Sequence, residues 1–120
     1  MKYTAFVVSG KGRGKRITFP TLNLEIPMPF PYTEGIYAGW VFIHNEKYKG
    51  AFHFGPVPTF NETIRTLEVF LLDKKLKTPP KKISFELIER VREIRMFDSP
   101  EALIQQIEKD VQSVNQILIP

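Results

Sequence analysis

The chain has 120 residues, of which 42% are hydrophobic and 25% charged, the proportions of one globular domain, so we expect a single domain over residues 1–120. The absence of cysteine excludes a disulfide framework, a thiolate metal site and a cysteine nucleophile, and it favours a reducing, cytoplasmic location. No apolar stretch approaches the ~20 residues of a membrane-spanning helix. The net charge of +4 suits phosphate-bearing partners, either nucleotides or nucleic acid.

Six short segments have the β-branched and aromatic composition of strands. They cover Tyr3–Ser9, Phe19–Ile26, Ile36–His44, Tyr48–Phe54, Thr66–Leu72 and Lys82–Val91. In the last segment Ile83, Phe85 and Leu87 alternate with polar residues, as in a strand with one buried face. Residues 45–47 have the length and composition of a hairpin connection, which predicts antiparallel pairing of the flanking strands. The prolines at 27, 29 and 31 predict an irregular loop.

The C-terminal part of the chain is predicted to be helical. Ser99 can cap the helix and Pro100 suits its first position. Apolar residues then recur at helical spacing, namely Leu103, Ile104, Ile107, Val111, Val114 and Leu118. Strands followed by one amphipathic helix predict a mainly β fold, a six-stranded antiparallel closed barrel with one C-terminal α-helix that covers its side or mouth.

Residues 10–15, Gly-Lys-Gly-Arg-Gly-Lys, form a glycine-rich basic segment between the first two predicted strands. Glycine permits close backbone approach, and N–H groups together with Arg and Lys could cradle phosphate oxygens. The segment does not follow the P-loop pattern, because Arg16 stands where that pattern needs Ser or Thr. Taken alone, it is more simply interpreted as a solvated basic turn.

Thr21 and Asn23 follow this segment, two residues apart, and in an extended strand both would lie on one face. Hydroxyl and carboxamide oxygens are ligands for a hard cation such as Mg²⁺, which keeps several waters and bridges nucleotide phosphates. An ordinary turn is the alternative interpretation of Pro-Thr and Asn-Leu dipeptides at this point.

Glu68 is a single carboxylate within the otherwise apolar strand predicted at 66–72. It is either a surface residue of an amphipathic strand or a partly desolvated acid suited to act as a general base toward a hydroxyl. His44 and His53 have no Cys, His or acidic partner at metal-ligand spacing, so we predict structural roles for both.

In chain order, these segments resemble the riboflavin kinase (flavokinase) family, whose domain occurs alone or at the C-terminal end of bacterial bifunctional FAD synthetases. The resemblance spans nearly the whole chain. It is carried by Gly10-x-Gly12-Arg13-Gly14, Phe19-Pro20-Thr21-x-Asn23-Leu24, Gly35-Ile36-Tyr37-Ala38, Gly55-x-x-Pro58-Thr59-Phe60, Glu68-Val69-x-Leu71-Leu72-Asp73, Arg92 and Phe97. It implies a six-stranded barrel with a C-terminal helix, in agreement with the fold predicted from periodicity.

The resemblance also implies an activity, the transfer of the γ-phosphoryl group of ATP to the 5′-hydroxyl of riboflavin, which gives FMN and ADP. Gly10, Gly12, Arg13 and Gly14 match the loop that covers the phosphates. Thr21 and Asn23 match the motif that binds Mg²⁺ and the nucleotide phosphates, and Glu68 matches the catalytic base. Arg92 and Phe97 match residues that gate or line the flavin pocket. His53 stands where the family usually has Asn.

Two other interpretations are open. One is a homologue that binds flavin or nucleotide without turnover, since Pro79-Pro80 replaces the usual Tyr-Gly of the family. The other is a small basic barrel that binds single-stranded nucleic acid, although a nucleic-acid groove gains nothing from Glu68. We therefore predict a cytoplasmic riboflavin kinase that uses MgATP, with neither a nucleic-acid nor a membrane partner, either free-standing or part of an FAD synthetase.

Overall fold

The protein is described by a computed structural model over residues 1–8, 21–56 and 64–119. Its elements are β1 (Tyr3–Val8), β2 (Leu22–Leu24), β3 (Gly35–Ile43), β4 (Glu46–Gly55), β5 (Thr66–Leu71), β6 (Lys82–Arg92) and α1 (Pro100–Ile117). The strands form a closed barrel in the order β1-β2-β5-β4-β3-β6, with every neighbouring pair antiparallel. The predicted fold class is therefore confirmed.

The β3–β4 hairpin turns one residue earlier than its composition predicts. Pairing runs from Gly35 opposite Phe54 to Ile43 opposite Glu46, which leaves His44 and Asn45 as a two-residue turn. Both turn residues have positive φ, 50° and 66° respectively. A two-residue turn of this hand matches the twist of the flanking strands, and asparagine tolerates the left-handed region better than most residues.

The barrel interior is filled by aromatic and aliphatic side chains. Phe52 and Phe54 of β4 are each 1% exposed, and Phe85 of β6 is fully buried, as the alternation in β6 predicted. The proline-rich loop adds a ring to this core, because Phe30 lies 5.3 Å from Tyr3 and 4.9 Å from Phe54 between ring centroids. The prolines keep this segment out of regular structure, yet it still contributes to the core.

Helix α1 begins where the sequence predicted, with the Ser99 hydroxyl accepting a hydrogen bond from the Ala102 amide at 3.1 Å. It packs on the outer side of the barrel, where Val114 and Leu118 contact Ala38 of β3. The small side chain of Ala38 allows the helix to approach the sheet closely. Within the described residues, no helix combines the length and hydrophobicity that a transmembrane segment requires.

Candidate active site

A row of directly paired residues crosses the outer face of the barrel. Asn23 of β2 lies opposite Glu68 of β5, and Glu68 in turn lies opposite His53 of β4. Residues directly opposite each other in antiparallel strands share a face, with Cβ atoms about 4.5–5.5 Å apart. The adjacent Leu24 and Leu67 point into the core, so the row faces outward. The barrel thus brings together two residues that the sequence analysis selected separately.

The sequence analysis left two environments open for Glu68, an exposed surface or a partly desolvated site, and the structure places it between them. Its neighbours in β5, Leu67 and Val69, are each 1% exposed, whereas Glu68 itself is half-buried on the outer face. The carboxylate is therefore partly shielded from water by its surroundings but not enclosed in the core. Its predicted role as a general base stays a prediction.

Thr21 lies immediately before β2 and is half-buried, like Asn23. Thr21 carries a hydroxyl oxygen, and Asn23, which lies opposite Glu68, carries a carboxamide oxygen. Neutral oxygen donors of this kind suit a hard cation that keeps water and takes other ligands from phosphate. Across residues 1–8, 21–56 and 64–119, no three His, Cys, Asp or Glu residues are grouped as a metal site. Thr21 and Asn23 therefore stay predicted cation ligands.

His53 stands beside Glu68 and has an unusual imidazole. Its Nδ1 atom is buried and has no hydrogen-bond partner among the residues that the structure describes. Burial lowers the pKa of His53, and the positive charge of Arg92 acts in the same direction. The imidazole is therefore neutral near pH 7. Sequence reasoning missed this position because only the β4–β5 register places His53 next to Glu68.

The same row continues from His53 to Ile36 of β3 and then to Arg92 at the end of β6. The Arg92 guanidinium forms a bidentate ion pair with Asp110 of α1, in which Nε donates to Oδ1 and Nη2 donates to Oδ2, both at 2.8 Å. The two side chains are only 11% and 7% exposed. Asp110 also accepts a hydrogen bond from Gln106 at 3.0 Å.

Phe97 lies in the connection between β6 and α1, against the same guanidinium. The Cζ atom of Arg92 is 5.8 Å from the centre of the Phe97 ring, within the range of a cation–π contact. Arg92 and Phe97, which the sequence analysis also selected separately, thus meet at one place. Three strand spacings of about 4.8 Å separate Glu68 from Arg92, roughly 14 Å along the sheet.

Gly10, Gly12, Arg13 and Gly14 fall within residues 9–20, outside the described residues. Their predicted contact with phosphates stays a prediction.

The family model and the curated relatives point to one family. A family model described as "Flavokinase: Riboflavin kinase" matches residues 1–118. The RNA-binding riboflavin kinase RibR of Bacillus subtilis is 33% identical over 109 residues, which cover 90% of this chain and 47% of that protein. A bifunctional riboflavin kinase/FMN adenylyltransferase from the same organism is 35% identical over 111 residues, covering 88% of this chain and 35% of the relative. The chain therefore spans half or less of the length of these relatives.

One solved structure has the same fold over almost the whole chain. A crystal structure of a Streptococcus pneumoniae protein described as a macrolide-efflux protein superposes with a TM-score of 0.82 and 26% sequence identity. The match covers 98% of this chain and 39% of that one. It supports the barrel with its C-terminal helix as a recurring unit within longer proteins.

Proposed function

The chain belongs to the riboflavin kinase family, and on this premise we propose that it transfers the γ-phosphoryl group of ATP to the 5′-hydroxyl of riboflavin. The products are FMN and ADP. The observation that carries the proposal is the pairing of Asn23 with Glu68 on the outer face of the barrel. It sets a candidate cation ligand beside a candidate base, as a hydroxyl nucleophile attacking a nucleotide phosphate requires.

In the proposed reaction Glu68 accepts the proton of the 5′-hydroxyl of riboflavin. At the same time the oxygen of that hydroxyl forms a bond to the γ-phosphorus of ATP. The bond between the γ-phosphorus and the bridging oxygen breaks, and ADP leaves with that oxygen. Thr21 and Asn23 would hold Mg²⁺, which neutralises phosphate charge when it is bound with ATP. Positioning is the larger requirement in phosphoryl transfer, and the direct pairing of β2 with β5 supports it.

Riboflavin is elongated, with a polyhydroxylated chain at one end and a flat ring system at the other. The row from Glu68 to Arg92 also has two different ends, because it begins at a carboxylate and ends at a guanidinium that lies 5.8 Å from the centre of the Phe97 ring. We place the 5′-hydroxyl at Glu68 and the ring system near Phe97. Gly10 to Gly14, with Arg13, would cover the phosphates.

The test is product formation from riboflavin and MgATP, followed by chromatography of the flavins. We expect FMN from the unmodified chain and a rate lower by a factor of about 10²–10⁴ for Glu68→Gln, which removes the base and keeps the shape. Glu108→Gln is the matched control, because Glu108 is an exposed carboxylate on α1. No FMN from the unmodified chain, or equal FMN from the chain and Glu68→Gln, would reject the assignment.

The same assay tests the nucleotide and the cation. Omission of Mg²⁺ should abolish FMN formation, and Asn23→Ala should raise the Mg²⁺ concentration needed for half-maximal rate. The predicted absence of nucleic-acid binding is checked with single-stranded oligonucleotides at low salt, where electrostatic binding is strongest. Saturable binding there would contradict that prediction.

A further inference from the structure

One charged side chain of α1 is buried where the helix faces the barrel. Asp110 is 5% exposed and lies on the same helix face as Val114, which is fully buried. A carboxylate in such a place loses its hydration and must be paired. Its partners are Arg92 and Gln106, and these three side chains form what we call the Arg92 anchor.

The Arg92 anchor holds the guanidinium in one plane. Asp110 engages two of its N–H groups, and a third N–H, on Nη1, donates to the Glu93 carbonyl at 2.8 Å. Arginine has five N–H donors, so two remain that no described residue accepts. The Phe97 ring lies against the same guanidinium. The anchor therefore fixes a pair of donors at the end of β6, and the Phe97 ring of the β6–α1 connection lies within cation–π range of them.

Stability alone does not account for this arrangement. Well-packed apolar residues of similar volume commonly stabilise a protein as much as a buried ion pair does, or more. Apolar residues cannot supply a guanidinium that is held in a fixed orientation and has N–H donors available for a ligand. The bidentate geometry also restricts rotamers of a long side chain that would otherwise lose entropy when it binds a ligand.

We propose that Asp110, supported by Gln106, is a positioning residue for flavin binding that acts through Arg92 and Phe97. The identity of the ligand rests on the proposed function. In this arrangement the isoalloxazine ring packs by Phe97, and its carbonyl oxygens accept hydrogen bonds from the two remaining N–H groups of Arg92. The carboxylate of Asp110 never touches the flavin, and it neutralises the guanidinium that would otherwise stand unpaired beside an uncharged ring.

The test uses Asp110→Asn, which keeps the size of the side chain and removes its charge. The dissociation constant of riboflavin is measured from quenching of flavin fluorescence without ATP, and KM is measured for each substrate. We expect the dissociation constant and the KM of riboflavin to rise about tenfold, as for the loss of one charge-assisted hydrogen bond, with the KM of ATP changed less than about twofold. Glu108→Gln, exposed on the same helix, should change neither.

A double-mutant cycle separates positioning from a general structural role. If Asp110 acts through Arg92, Asp110→Asn adds no further loss of riboflavin affinity in an Arg92→Met background. Additive losses, an equal rise in both KM values, or an unchanged riboflavin dissociation constant would overturn the proposal.

Should circular dichroism show that Asp110→Asn is unfolded, Gln106→Leu removes only the amide hydrogen bond. It should weaken riboflavin binding about threefold and leave the KM of ATP unchanged, and any other result counts against the proposal.

This experiment and the product assay fail in different ways. Because fluorescence quenching needs no turnover, a chain that binds riboflavin without making FMN would reject the kinase activity and still test Asp110. A chain that makes FMN and binds riboflavin equally well with Asp110→Asn would reject only the positioning role. Absence of quenching by the unmodified chain at any riboflavin concentration tested would reject the positioning role as well.

Discussion

The buried imidazole of His53 should make the stability of this protein depend on pH, and His53→Asn should remove that dependence. Burial lowers the pKa of His53 in the folded chain, whereas an unfolded histidine titrates near pH 6.5. Between the lowered pKa and about 6.5, the unfolded chain binds a proton that the folded chain does not. The free energy of unfolding must therefore decrease as the pH falls through this interval.

The size of the effect follows from one proton and the position of the ring. Above pH 6.5 both states carry a neutral imidazole, so His53 contributes no slope. Below it, the limiting slope is about 1.4 kcal/mol per pH unit, and a ring that stays neutral when folded lowers the free energy of unfolding by about 1.4 kcal/mol at pH 5.5. Burial of the ring is the larger cause, and together with the nearby charge of Arg92 it opposes protonation of the folded state.

The measurement is urea denaturation at pH 7.5, 6.5 and 5.5 of the unmodified chain and His53→Asn, with the free energy of unfolding compared at each pH. His53→Asn should show a shallower decrease between pH 6.5 and 5.5. The matched control is His44→Asn, which changes the exposed histidine of the β3–β4 turn to a residue that tolerates its positive φ. The reasoning would be refuted if the free energy of unfolding decreased equally with falling pH in the unmodified chain and in His53→Asn. It would also be refuted if the free energy of unfolding of the unmodified chain increased as the pH fell while that of His53→Asn did not.

Two further predictions concern stability and are checked by the same urea titrations at pH 7.5. Asp110→Leu alone should lower the free energy of unfolding by about 3–5 kcal/mol, because it leaves the Arg92 charge buried, whereas Asp110→Leu with Arg92→Met should come within about 1 kcal/mol of the unmodified chain. A double variant as unstable as the single one would contradict this. Phe85→Ala should cost about 3–5 kcal/mol, because Phe85 is fully buried with ring centroids 5.5 Å from Tyr3 and 5.3 Å from Phe52. A loss below about 1 kcal/mol would show that the barrel interior repacks around the gap.

Part of the site could be selected from the sequence, and part could not. Glu68 was identifiable as an odd carboxylate in an apolar strand, and the family resemblance pointed to Asn23 and Arg92. The same kind of signal was present at Asp110, a carboxylate on the apolar face of α1. The sequence analysis interpreted that face only as part of the core and did not select Asp110. His53 gave no local signal, because its importance depends on which residue of a neighbouring strand lies opposite it.

The sequence by itself determined the approximate positions of the strands, the helix with its Ser99 cap, and which face of β6 is buried, because these depend on side-chain periodicity and capping over a few residues. The tertiary structure decided that Asn23, Glu68 and His53 share one row, and that Asp110 reaches Arg92. Strand register and helix docking arise from packing between segments far apart in the chain. Local patterns specify which side of a segment is apolar. Only the closed barrel, through its strand register, determines which residue of the adjacent strand lies opposite a given residue.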